Sequence, residues 1–389
     1  MPDPIIPVRV ATTEEVLYGD RVTQYRWEVL SHSNGVDHLI GELDGVTRGS
    51  LSWVQNAAVK GSGRLNVLDL PVARPGKLRI SDLDLASARI RPVCVIDGLP
   101  ENPLGTFLVS AAREEWEATG RTWSLELLDR TTVPQQDLAE QTFAVDTGTL
   151  ILPRVKTILA DVGEYIDVDG SETAATRSGM AWDAGTSKLT IINDLLDVAG
   201  YGALWVDGTG ALRVSPRVLP AQRSVVYEAL GVPRNLIDGA QSIYRPDWTM
   251  ERDSFAVPNK VIAVQAAGGD DAEALTGTWT NEDPASPYSY ISRGRWLSYV
   301  LDNVETPEGT TAEIQTFLQE RAHATLVAMS AVQAEVKITH LPIPARVGDA
   351  VRFGNSGADV DGRYIITRLE LDATALGLMK STLQEVVSL

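Results

Sequence analysis

Four histidines, one cysteine and a large stock of carboxylates are the residues of this chain that could carry chemistry. His32 and His38 are close enough in sequence to share a metal ion. His323 and His340 lie far along the chain, and no third ligand follows at a metal-binding spacing. All four read as surface or strand-end histidines. Cys94 stands alone, which excludes an intrachain disulfide framework and a multi-cysteine zinc or iron–sulfur site. Asp167-Val168-Asp169-Gly170 and Asp359-Val360-Asp361-Gly362 look like the opening of a calcium loop, yet each lacks the glycine at the sixth loop position and reads as a turn. Gly61-Ser62-Gly63 reads as a bare turn, too short to cradle a phosphate. Asp and Glu total 52, so any fold brings some together and no particular glycosidase pair stands out. The nucleophile elbow, the phosphate-binding loop and the H-E-x-x-H zinc motif are all missing from the sequence. Nine tryptophans could form a sugar platform, but their spread from Trp27 to Trp296 suits core and interface anchors better. No catalytic, cofactor-binding or metal site is expected, and no cofactor.

The 389 residues suffice for two to four domains, and a hydrophobic fraction of 44% is that of an ordinary folded chain. The opening, MPDPIIPVRV, has neither a basic nor an apolar signal region, so no signal peptide is expected. No apolar run approaches the ~18 residues that would span a bilayer. The net charge of −18 argues against gripping DNA or RNA through phosphates. It leaves two readings: solubility, or a wall that lets nucleic acid pass without sticking.

The elements that must position these residues begin with β signals from Val8 to Asp129. Short runs are divided by turn residues, and Trp123, Leu125 and Leu127 alternate as in a half-buried strand. This suggests a small barrel or sandwich. Pro92 places its strand, Ile90–Ile96, at an edge or on a bulge. A helix is expected over Pro153–Val162. The central stretch Ser187–Arg217 then reads as one unit. Ser187 caps a helix whose apolar face is Leu189, Ile192, Leu195, Leu196 and Ala199, Gly200 ends it, and a hairpin turns at Asp207-Gly208-Thr209-Gly210. Arg234–Asp247 reads as an excursion, Val257–Ala266 as a strand and Gly268–Gly277 as a polar loop. Thr310 and Glu313 form a capping box for a helix over Thr311–Met329. Strands return at Ala334–Leu341, Asp349–Phe353, Gly362–Leu371 and Met379–Val387.

Several stretches, in order, resemble the minor tail proteins of long-tailed bacteriophages, of the siphophage tail-tip hub or baseplate hub-like kind, and especially those of actinobacteriophages. They are Val59-Lys60-Gly61-Ser62-Gly63, Arg89-Ile90-Arg91-Pro92, Leu104-Gly105-Thr106-Phe107-Leu108 and Leu127-Leu128-Asp129-Arg130. The central stretch matches best, with Trp182, Gly185 to Leu189, Ile192 to Leu196, Gly200-Tyr201, Leu204-Trp205 and Asp207. Phe255-Ala256-Val257-Pro258-Asn259, Ser286-Pro287-Tyr288-Ser289 and Val347-Gly348-Asp349 complete it. In the family these residues look like turn formers, core residues and caps, so no site role is carried over.

The resemblance implies a β-rich α+β fold with two tail-tube-like β-barrel domains and a mixed α+β insertion between them. The expected division is 1–135, 136–250 and 251–389, the last a discontinuous barrel with helix 311–329 inserted. It implies a structural tail-tip hub, a homotrimer in the virion that is assembled in the host cytoplasm. The hub would join a six-fold tail tube to a three-fold fibre or spike and surround the genome exit channel. Its expected partners are the distal tail protein and tail tube above, the tape-measure protein inside, and the central fibre or receptor-binding tail proteins below. DNA would pass without specific binding. The alternatives are a tail-associated cell-wall-degrading enzyme and a receptor- or carbohydrate-binding tail module. Because the chain stops at Leu389, just after the last barrel strand, enzymatic or host-binding activity is expected on another polypeptide.

Overall fold

A computed structural model describes residues 12–33, 35–117, 120–168, 175–176, 179–239, 242–251, 257–266, 274–304, 306, 310–330 and 334–386. Asp169-Gly170 and Phe255-Ala256 of the stretches quoted above, and 268–273 of the expected polar loop, lie outside them. Strand accounts for 44% and helix for 19%, so the chain is a β-rich α+β protein.

The alternating runs near the start form seven long strands: Thr23–Ser33, Val36–Leu43, Val46–Val54, Gly61–Asp69, Arg89–Ile96, Phe107–Glu117 and Gly120–Asp129. The last four long strands of the chain are Glu335–His340, Ala350–Asn355, Val360–Asp372 and Met379–Glu385. Both sets belong to one sheet, joined where Val360–Asp372 runs antiparallel to Val46–Val54 and sets Leu371 opposite Leu51. Period-two patterning points Leu51, Leu65, Leu125, Leu127, Leu369 and Leu371 into one shared core. The sheet bends back on itself. A Cβ on Gly49 would sit 2.2 Å from the Trp27 ring, five strands away along the sheet, so only a glycine allows that approach. Arg21 ties the chain start to the last part of the chain and Tyr18 ties it to the middle, donating to the carbonyls of Pro342 and Pro233 respectively.

Two local expectations change. Arg89–Ile96 is an interior strand, not an edge. Pro92 lies where its ladder passes from Phe107–Leu108 to Asn102–Pro103, a gap at which a missing N–H costs nothing. Arg234–Asp247 is no excursion: Asn235–Ile237 pairs in parallel with Arg352–Gly354, and Ile243 and Tyr244 are buried in the main core.

The middle of the chain has its own core. Helices Ile151–Asp161 and Lys188–Val198 cover a small sheet in which Leu212–Val214 is paired with Trp205–Val206 on one side and Ile166–Val168 on the other. The Ser187 hydroxyl accepts from the Thr190 N–H at 3.1 Å, and Gly200 ends the helix at φ +76°, as the sequence indicates. Leu189, Ile192, Leu195 and Leu196 are buried, joined by Ile191, which the periodic reading left out.

Val257–Ala266 does not join the C-terminal strands, as the sequence suggested. Lys260–Gln265 is instead the centre of a separate three-stranded sheet, antiparallel to Thr276–Thr280 and parallel to Ser298–Val304. The helix Thr311–Ser330, capped by the Thr310–Glu313 box, crosses that sheet. Gly277 permits the crossing, because a Cβ there would lie 2.4 Å from the helix backbone at Leu318 and Gln319. We expect Gly277→Ala to destabilise this unit by roughly 1–3 kcal/mol. Hydrogen exchange in Thr311–Ser330 at wild-type rates in the variant would contradict that packing.

Candidate functional site

The densest chemistry in the described chain is a buried charge network where the middle unit meets the large sheet. Asp37 comes from the second strand, Arg89 from the fifth, Arg130 from just after the seventh, and Glu164 from beyond the Ile151–Asp161 helix. Arg89 reaches Asp37 at 3.2 Å and Glu164 at 2.8 Å. Arg130 reaches Asp37 at 3.3 Å and also pairs with Glu164 through its Nε. Each guanidinium thus touches both carboxylates, and the four charges cancel. None of the four side chains is more than 9% exposed. The spare Arg130 donors go to the carbonyls of Gly210 and Gly35, both at 3.0 Å. His32 closes the rim, with Nδ1 at 2.6 Å from Asp37 and Nε2 at 3.1 Å from the Gly163 carbonyl.

The hairpin turn Asp207–Gly210 docks beside this network. Gly105 N–H donates to the Gly208 carbonyl at 2.8 Å. A Cβ on Gly208 would lie 2.3 Å from the Pro103 carbonyl oxygen, and one on Gly210, at φ +93°, 2.0 Å from Thr106 Oγ1. Contact therefore demands both glycines, and at Gly210 the backbone conformation demands one as well. Burial pushes the Asp207 carboxyl up, but Thr209, Arg213 and the Ala211 N–H outweigh it and hold the group below its ordinary range. Lys60 Nζ adds a bond to the Leu204 carbonyl at 2.9 Å, at the cost of a desolvation that pulls its pKa down. Asp129 receives the N–H groups of Gly61 and Thr131, and burial still pushes its carboxyl up.

Chemically this arrangement is a clamp. Each acid is neutralised by two arginines, which leaves neither a free base nor an activated nucleophile within it. Among the described residues no group of three or more His, Cys, Asp or Glu side chains could hold a metal ion. The four histidines do not converge. His32 joins the network, His38 is exposed, and His323 lies 4.4 Å from the Trp279 ring. His340 ends its strand fully buried, between Ser381 Oγ and the Leu341 carbonyl, each at 2.7 Å. Gly61 opens a strand and is not part of a bare turn, since its missing side chain makes room for Asp129 and Phe107. Asp359 does turn the chain, at φ +53°, and Asp361 pairs with Arg352. Burial pushes the Cys94 thiol up to about 11, an inert core thiol.

His340 gives a pH signature. Burial lowers its pKa from 6.5 to about 4, so the unfolded chain takes up the proton first as pH falls. Its contribution is whole above pH ~6.5 and is lost on the way down to pH ~4, roughly 3 kcal/mol in all. Chemical denaturation across that range should show a slope that His340→Asn flattens; an unchanged slope would contradict the neutral buried ring.

The network was not read from the sequence, although Arg89 and Arg130 both sit in stretches quoted for the family resemblance. The class this fold defines emerges on comparison with solved structures. The chain aligns with a tail protein from Neisseria meningitidis MC58 at 16% identity and TM-score 0.61, over 93% of this chain and 97% of that one. It aligns equally well with the 43 kDa tail protein of prophage MuSo2 from Shewanella oneidensis, at 14% identity and TM-score 0.61, over 92% and 98%. A prophage tail protein, gp18, from Listeria monocytogenes EGD-e follows at 13% identity and TM-score 0.54, over 93% and 95%. No protein-family model and no curated protein matches the chain. Over more than nine-tenths of its length the chain has the fold of these tail proteins, two of which come from prophages. The narrower likeness to actinobacteriophage proteins has no counterpart in these three.

Proposed function

We propose that the protein is a structural hub at the tip of a long-tailed phage tail, held in the virion and built in the host cytoplasm. The observation that supports this most is the alignment of nearly the whole chain with nearly the whole of three tail proteins, two of them from prophages. A match confined to one region would suit a shared module; this one suits a shared architecture. In this reading the strands within 23–129 and those within 335–385, joined in the large sheet, supply two tube-type β units, and the middle unit with its own core, 139–214, is the insertion set against them. Three copies would then present six β units to a six-fold tube while keeping three-fold symmetry for a fibre or spike below. The distal tail protein, the tape-measure protein and the central fibre would be its neighbours.

The charge balance fits that placement. In a ring around exiting DNA, Asp and Glu outnumbering Lys and Arg on the inner wall would repel phosphates. The chain is read as non-catalytic, since the charge network binds its own acids. Gold-labelled antibody against the protein should mark the distal end of the tail, and the purified chain should clear no host cell wall in a zymogram. Label at the capsid, or clearing that a single Asp or Glu replacement abolishes, would overturn the reading.

A further inference from the structure

The large sheet carries a long open edge. Along its ladder eight strands follow one another from Thr249–Glu251 to Phe107–Glu117, each antiparallel to the next. Only the start of the last strand is paired on its far side, where Phe107 and Leu108 meet Ile90 and Arg89. Among the described residues no strand pairs with 109–117 on that side, which leaves a row of N–H and C=O groups facing outward. The side chains agree. Ala112 is opposite Leu125, a core residue, so Ala112 and then Glu114 and Trp116 fall on the core side of the sheet. Trp116 is nevertheless 76% exposed, with the Arg121 guanidinium 4.9 Å from its ring centre. A tryptophan on the core side is left bare because no strand follows it.

A strand that fits this edge stands at the other end of the same ladder. Thr249–Glu251 pairs on one side with residues 335–337, and among the described residues no strand pairs on its other side. Thr249 and Glu251 are exposed while Met250 packs on the core, the pattern of a strand that a neighbour can extend. Eight is an even number, so the two end strands run in opposite senses. Copies related by rotation about a common axis can therefore set one against the other antiparallel, and the alternation continues across the seam. The chain makes a junction of this kind internally. Val360–Asp372 meets Val46–Val54 there, each at the end of a run of four strands. A second copy brings the matching edge, the matching sense and the matching division into core and polar faces.

We propose that 109–117 of one copy pairs antiparallel with Thr249–Glu251 of the next, so that the copies close a ring edge to edge and Trp116 is covered at the seam. This rests on the three-copy reading above and names the edges that hold the copies. Glu115 and Thr249 are both exposed on the polar face, so cysteines at these positions would meet across the seam. Particles of the parent phage carrying Glu115→Cys with Thr249→Cys are treated with a short bis-maleimide and run on a denaturing gel. The double variant should give a covalent species of three chains, at least about tenfold more than either single variant gives. Arg113→Cys with Thr249→Cys covers a register shifted by two residues. The native Cys94 is buried and stays out of the reaction. No linked chains in either double variant, dimers from a single variant, or a link to another tail polypeptide alone would each overturn the pairing. Gold label at the tail tip without linked chains sinks the seam and leaves the hub standing; label at the capsid removes the hub reading instead.

Discussion

Glu164→Gln is expected to cost about 3–5 kcal/mol of stability, more than other single changes at the protein's surface or turns. Glutamine keeps the size of the side chain but removes one of two buried negative charges. Arg89 and Arg130 would then share Asp37 alone, leaving about one positive charge uncompensated at a place where no side chain is more than 9% exposed. The network spans four distant parts of the chain, so the damage should spread to the docking of the middle unit. Amides at Gly105 and in the Asp207–Gly210 turn should exchange faster in the variant. Replacing all four charges with apolar residues of similar volume should cost far less, because what destabilises is the unpaired charge and not the loss of the pairs. An exchange pattern and melting temperature like those of the wild type would show that the network is not the clamp described here.

Leu195→Ala or Leu196→Ala should cost roughly 2–5 kcal/mol, the range for deleting a buried leucine side chain. Both residues are fully buried where the Lys188–Val198 helix meets the small sheet. Of their neighbours, Leu212 and Val214 lie on the central strand of that sheet and Leu204 just before an outer one, which limits how far the cavity can collapse. The loss should appear as a separate early transition of the middle unit, since its core is distinct from that of the large sheet. Either variant melting with the wild type would mean that this helix is not the keystone of its unit.

The helix–hairpin unit was legible because everything that makes it is local: a capping serine, a 3.6-residue apolar period, a closing glycine and a turn. The capping box of the long helix was legible for the same reason. Strand existence was legible at both ends of the chain, but strand partnership was not. Alternation tells which side chains of Val46–Val54 face inward, and it is silent on the fact that Val360–Asp372 lies alongside. The same silence misplaced Val257–Ala266, whose real partner, Thr276–Thr280, reads as too short and too polar to attract notice. The charge network escaped because its members, separated by up to 127 positions (164 − 37), look like ordinary charged residues one at a time. His340 likewise gave no sign of burial, since a histidine at a strand end is more often wet. A useful signal was present in hindsight: Gly208 and Gly210 flank a single threonine, more glycine than a hairpin turn alone requires.

A hub at the tail tip is defined by where the protein sits and in how many copies. Electron cryomicroscopy of the parent particle answers both at once. Three copies are expected at the junction between tail tube and distal fibre, two β units from each completing a six-fold ring, with carboxylates outnumbering cations on the inner wall. Six copies or one at that position, a chain placed elsewhere in the particle, or a lumen lined mainly by arginine and lysine would contradict it.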